Sequence, residues 1–126
     1  MSDIVLAAEH AAFQDSAHFV SELVPGDGVH IVYPLLLGLN RARYFLLTGQ
    51  VIDAPLAKEL GLVAEVLPRD KLMDRAWELA ESIAKRPPLL LRYTRLLFTE
   101  DLRKRMHELL GYGLAMESLA VMDKPE

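Results

Sequence analysis

The sequence predicts an α/β protein, mostly helical, in which a short front part of strands and loops gives way to amphipathic helices. Three observations carry this. Residues 3–8 and 11–13 are brief apolar runs of strand length. Pro25-Gly26-Asp27-Gly28 is a strong turn signal that closes the front part. From residue 70 onward apolar side chains recur at helical spacing, with Leu72, Ala76, Leu79 and Ile83 on one stripe.

The elements follow in order. Residues 3–8 suit a buried strand, an unusual start because such a strand normally has neighbours on both sides. Residues 11–13 suit a second strand, and 14–28 a loop. The apolar segment 29–37 reads as a helix that Pro34 must bend or restart. Residues 40–48 form another, with Gly49 as its stop. Asp53 is a good N-cap, Pro55 fits the first turn behind it, and Gly61 fits the C′ position of a short helix. Residues 63–67 alternate enough for a strand, ended by Pro68. A helix over 70–85 is broken by Pro87-Pro88, and 89–98 forms the next. Thr99 is expected to cap a third, with Glu100 and Asp101 in its first turn where the dipole favours acids. Leu102, Met106, Leu109, Leu110, Met116 and Leu119 give that last helix a wide apolar face. Such stripes bury either against another subunit or against other parts of the same chain, and spacing does not choose between them. There is no internal repeat.

Composition removes whole classes of function. With 52% hydrophobic and 25% charged residues in 126, the chain has the makings of a packed core and is not disordered. The longest uncharged apolar stretches, such as 31–39, are far too short to span a bilayer, so no membrane partner is expected. No signal peptide is read at the N-terminus. Cysteine is absent, which excludes disulfides, thiolate catalysis and zinc fingers and points to the cytoplasm. His10, His18, His30 and His107 lack metal-ligand spacing, so no metal site is expected. The net charge of −4 argues against nucleic acid. Its distribution is uneven: residues 1–40 carry five acids and no Lys or Arg, whereas 41–126 hold the other 13 acids and all 14 bases.

No serine elbow, phosphate loop or dinucleotide fingerprint is present. The residues best suited to chemistry are His18 and Asp27, at the two ends of the loop. A carboxylate bonded to one ring nitrogen fixes the tautomer and stabilises the imidazolium, leaving the other nitrogen to take a proton from water. The same residues suit plainer roles, Asp27 as a turn former and His18 as a solvent-facing side chain. Glu117 interrupts the apolar stretch 114–121, where a carboxylate has a raised pKa and can relay protons, unless it points outward. His10, His30 and His107 read as structural or exposed. Lys85, Arg86, Arg92, Arg95, Arg103, Lys104 and Arg105 make a basic run that suits a solvated face or the holding of an anionic group.

Several blocks together resemble the crotonase (enoyl-CoA hydratase/isomerase) superfamily. They are Ala8-Glu9-His10-Ala11-Ala12-Phe13, Pro25-Gly26-Asp27-Gly28, and Leu47-Thr48-Gly49-Gln50 followed by Ala54, Ala57, Gly61-Leu62-Val63 and Val66. The similarity runs essentially end to end and matches the superfamily's C-terminal half. It implies that residues 1–67 are the end of a ββα spiral core and 68–126 a helical trimerisation region. The expected assembly is a homotrimer or a dimer of trimers.

Two departures sharpen that implication. Hydratases of the superfamily carry a catalytic Glu seven residues before the turn proline, and here that position is His18, with Asp27 inside the turn. The pairing is similar to β-diketone hydrolases of the 6-oxocamphor hydrolase type, which cleave a C–C bond by a retro-Claisen reaction. In them the matching His and Asp form the catalytic dyad, and the carboxylate matching Glu117 lies in the active site. The implied partner is then a small-molecule diketone, without cofactor. The alternatives are a hydratase or isomerase acting on acyl-CoA and a non-catalytic oligomerisation fragment. The second departure is length: the family's oxyanion hole lies upstream of the part matched here. Loss of one oxyanion donor costs about 10²–10³ in rate, so the isolated chain is expected to be nearly inactive.

Overall fold

In the computed structural model, which describes residues 2–123, the front part is built from four short strands and three helices. The elements are β1 (Leu6–Ala8), β2 (Ala12–Phe13), a 3₁₀ turn at Phe19–Ser21, α1 (Val29–Leu37), α2 (Leu39–Thr48), β3 (Ile52–Asp53), α3 (Ala54–Glu59) and β4 (Glu65–Leu67). Two long helices follow, α4 (Arg69–Ala84) and α5 (Pro88–Met122). The strands pair at long range. β1 lies parallel to β4 with Leu6 opposite Glu65 and Ala8 opposite Leu67, and β2 lies antiparallel to β3 with Phe13 opposite Ile52. Among the described residues β1 has β4 on one side only.

The core is small and is made by the front part. Ala7, Leu37, Ala42, Phe45, Leu46, Ile52, Ala54, Ala57 and Val63 form one buried cluster, with Phe45 and Ile52 its largest fully buried side chains. Tyr33 lays its ring against Phe45, centroids 4.6 Å apart. Ala54 and Ala57 sit three apart on α3, so their small side chains share one face and let that helix lie close on the core. Its start follows the expected chemistry, for Asp53 accepts a hydrogen bond from the Leu56 N–H at 2.9 Å. Gly49 ends α2 at φ 62°, a left-handed conformation that a side chain would strain, and Val20 packs against the space where a Cβ would stand.

The helical part behaves differently. No residue of α4 is buried, and in α5 Gly113 alone is. Trp77 is 63% exposed, Leu97 76% and Phe98 79%, so both helices present large apolar side chains with nothing over them. Polar links help to hold them in place. Arg75 grips Glu65 of β4 with two hydrogen bonds of 2.8 and 2.9 Å and pairs with Glu78 at 2.8 Å. That grip lowers the Glu65 pKa and raises that of Arg75. Arg95 reaches Asp3 at 2.8 Å.

One expectation is corrected here. Residues 88–122 form a single helix, and Thr99 caps nothing. Its Oγ1 donates to the Arg95 carbonyl oxygen at 2.9 Å, the inward bond that lets a threonine sit mid-helix. Glu100 and Asp101 are satisfied within the helix by Arg103 and Arg105 at 3.2 and 2.8 Å, so no break is needed. No helix among the described residues is long and apolar enough to cross a membrane.

Candidate active site

The loop between β2 and α1 is held as a compact unit, and that rigidity places His18. Gln14 Nε2 donates to the Gly49 carbonyl oxygen at 2.8 Å, anchoring the loop to the end of α2. Inside it, Ser21 Oγ donates to the Ser16 carbonyl oxygen at 2.8 Å, and the Ser21 and Leu23 N–H groups both donate to the His18 carbonyl oxygen at 2.7 and 3.1 Å. The His18 carbonyl is thereby held by two donors, and its side chain is buried, the residue being 7% exposed.

Carboxylates stand at both ends of the His18 ring. Asp15 Oδ1 lies 2.7 Å from Nδ1, and Asp27 Oδ2 lies 3.3 Å from Nε2. Their surroundings differ. Asp15 is buried, whereas the Asp27 side chain is 51% exposed at the tip of the turn. The turn depends on Gly28, whose φ of 122° is open only to glycine at little cost. Asp27 is also the charged residue in the wall of an otherwise largely apolar cavity of about 410 Å³, lined by Val5, Phe13, Val32, Tyr33, Leu36 and Met106 among others. Cavities of this size and character are suited to small ligands with a few polar groups.

Helix α5 closes the site from the far end of the chain. A Cβ on Gly26 would strike the Gly113 carbonyl and stand 3.0 Å from Glu117 Cβ. A Cβ on Gly113 would strike the Gly26 carbonyl and the His30 ring, with His30 Nε2 at 2.7 Å. The two glycines therefore let backbone meet backbone and bring Glu117, one helical turn beyond Gly113, beside the turn that carries Asp27. Glu117 is half-buried and its Oε2 is buried with no hydrogen-bond partner. Asp15 Oδ2 and both ring nitrogens of His30 share that condition.

These charges set the state of His18. Burial, the largest single influence, opposes protonation. The hydrogen bond and charge of Asp15, with the charges of Asp27 and Glu117, together outweigh it and hold the pKa above the usual 6.5. Tyr33 is pushed up by burial and by the Asp15 charge. Among the described residues no group of three or more His, Asp or Glu side chains has metal-binding geometry.

The structure thus brings His18, Asp27 and Glu117 into one site. His107 is exposed and stands apart, whereas His30 is half-buried and touches the seat of α5. Two contributors were not singled out from sequence. Asp15 stands three residues before His18, a spacing that puts two side chains together only once the loop turns. Gly113 had a signal, a glycine inside a helical pattern, which costs stability there unless close packing requires it.

The chain belongs to the enoyl-CoA hydratase/isomerase family, whose model matches residues 1–118. It is similar to a β-diketone hydrolase from the cyanobacterium Anabaena sp. PCC 7120, solved with (S)-3-oxocyclohexyl acetic acid bound. The two share 52% identity with a TM-score of 0.93, over 97% of this chain and 49% of that one. An enoyl-CoA hydratase from Mycobacterium tuberculosis H37Rv matches with a TM-score of 0.86 at 28% identity, over 96% of this chain and 54% of that one. The 2,3-dehydroadipyl-CoA hydratase of Escherichia coli (strain K12) is 31% identical over 117 residues, which are 93% of this chain and 44% of the relative. The chain accordingly spans about half the length of the proteins it matches, and the crotonase fold expected from its motifs is present in that part.

Proposed function

We propose that this chain carries the general base of a C–C bond hydrolase that cleaves a cyclic β-diketone. The observation that carries the reading is the buried His18 with a carboxylate at each ring nitrogen, one of them opening onto an apolar cavity. Similarity at 52% identity to a β-diketone hydrolase supports it. The compound bound to that relative holds a ketone and a carboxylic acid, the two groups that hydrolytic opening of a diketone generates.

The steps balance as an addition of water. His18 takes a proton from water, and the hydroxide attacks one carbonyl carbon to form a tetrahedral alkoxide. Collapse of that adduct breaks the bond to the carbon between the carbonyls, giving a carboxylic acid and an enolate. The His18 imidazolium, assisted by Glu117, returns its proton to the enolate carbon and yields the ketone. Asp27 steadies the imidazolium between the two transfers. Stabilisation of the alkoxide is assigned to the portion of the fold upstream of these residues. The apolar faces of α4 and α5 are proposed to pack against that portion or against neighbouring subunits in a trimer.

A second reading, hydration or isomerisation of an acyl-CoA, draws on the hydratases among the relatives. Against it, a histidine stands where hydratases of the family place their glutamate. The two separate when the full-length protein is given a bicyclic β-diketone and, in parallel, crotonyl-CoA. Loss of the diketone alone supports the hydrolase, and loss of the thioester alone rejects it. His18→Ala or Asp27→Asn is expected to lower diketone turnover by about 10²–10⁴. Turnover within about tenfold of the parent removes these residues from the mechanism.

A further inference from the structure

We infer that Asp15, rather than Asp27, is the residue that orients His18: it fixes the proton on Nδ1 and turns Nε2 toward Asp27 and the open side of the site. The inference deepens the reading of His18 as the base, and rests on it for its catalytic consequence only.

The geometry distinguishes the two carboxylates. Asp15 meets Nδ1 at 2.7 Å, an ordinary charge-assisted hydrogen bond, and both side chains are more than nine-tenths buried. Asp27 lies 3.3 Å from Nε2, makes no hydrogen bond to it and is half exposed. A carboxylate is an acceptor only, so Nδ1 must carry the hydrogen that Asp15 receives. Nε2 then holds the lone pair of the neutral ring, and it is the nitrogen that faces Asp27, itself part of the wall of the apolar cavity. Nε2 is thus the nitrogen on the side of Asp27 and its cavity, whereas Nδ1 is taken by Asp15. Asp15 is also held where it is. Gln14 beside it is bonded to Gly49, and Ser16 after it accepts from Ser21, so the carboxylate and the ring sit on one braced loop. Asp27 belongs to a separate turn whose position depends on Gly26, Gly28 and the seat of α5. Asp15 is therefore a positioning residue, and Asp27 faces the reacting side. The charges acting on His18 are those of Asp15 on its own loop, Asp27 on the turn before α1 and Glu117 on α5.

The test is ¹⁵N NMR of the His18 ring across pH in the full-length protein, for wild type, Asp15→Asn and Asp27→Asn. The expected wild-type neutral ring carries its hydrogen on Nδ1. Asp27→Asn keeps that tautomer, and Asp15→Asn loses the preference and lowers the His18 pKa further than Asp27→Asn does. A wild-type ring with its hydrogen on Nε2 overturns the inference, as does a tautomer lost in Asp27→Asn and kept in Asp15→Asn. Should Asp15→Asn fail to fold, the wild-type and Asp27→Asn spectra still decide. Kinetics separate this from the proposed function. Diketone cleavage by Asp15→Asn is expected to lose about 10² or more in kcat at unchanged KM. If His18→Gln cleaves diketone at the wild-type rate while the ring spectra follow expectation, the base reading falls and the positioning role stands.

Discussion

Gly26 and Gly113 meet backbone to backbone where the turn before α1 crosses α5, 87 positions apart in the sequence. Neither has room for a Cβ. That meeting decides how deeply α5 is seated, and Glu117 comes to the site because it lies one turn beyond it. The geometry of the proposed site depends on the absence of two side chains as much as on the presence of others.

Two glycines in the same helix turn make a controlled comparison. Gly113→Ala is expected to cost about 1–3 kcal/mol, because the methyl must displace both the His30 ring and the Gly26 carbonyl. Gly111 has nothing within 4 Å of a Cβ, so Gly111→Ala is expected to stabilise by about 0.5–1 kcal/mol through helix propensity alone. Urea midpoints of the two variants are expected to move in opposite directions, and only Gly113→Ala to lose activity.

The pH dependence follows from His18. A base must be neutral to accept a proton, and Asp15, Asp27 and Glu117 hold its pKa above the usual 6.5. Diketone cleavage is therefore expected to rise with pH through a limb lying above 6.5. Asp27→Asn, with one of those charges removed, moves the limb toward lower pH. Stability runs the other way. A folded-state pKa above the unfolded one gives stabilisation that is complete below the unfolded value and disappears as pH rises through the folded one. Denaturant midpoints measured on both sides of the limb are expected to show stability falling where activity rises.

Much of this was open to reading and some was not, for identifiable reasons. Asp53, Pro55 and Gly61 mark α3 because caps act through bonds to residues three or four away. Pro87-Pro88 marks the start of α5 because the ring forbids continuation. Thr99 misled because its hydroxyl has two uses, a cap or an inward bond, and packing along the helix decides which. At the site, Asp27 stood out because glycines flank it. Asp15 did not, since a carboxylate three residues from a histidine in a loop meets it only after Gln14 and Ser21 have shaped that loop.

Glu117→Gln separates charge from shape. Glu117 Oε2 is buried with no partner, so the neutral isostere removes a desolvated charge without opening a gap. Thermal stability is expected to hold or rise. Proton return to the enolate loses its helper, and kcat is expected to fall by about 10-fold or more while KM stays put. A kcat equal to that of the parent would place Glu117 outside the reaction.

His18→Glu asks whether the site is built around a cation. Position 18 is surrounded by Asp15, Asp27 and Glu117, and among the described residues no cation is among the charges acting on it. Histidine relieves that crowding whenever it is protonated. A glutamate would add a further negative charge, and mutual repulsion raises the pKa values of carboxyls held this closely. Groups with raised folded-state pKa values stabilise at low pH and cease to do so as pH rises. The variant is therefore expected to be less stable than the parent at pH 7, to recover as pH falls toward 4, and to gain no hydration of crotonyl-CoA. Denaturation at several pH values together with a thioester assay checks both parts. Hydration by a stable His18→Glu protein would mean that the acids around this position tolerate a carboxylate base, and the case for a histidine-centred hydrolase would lose its electrostatic ground.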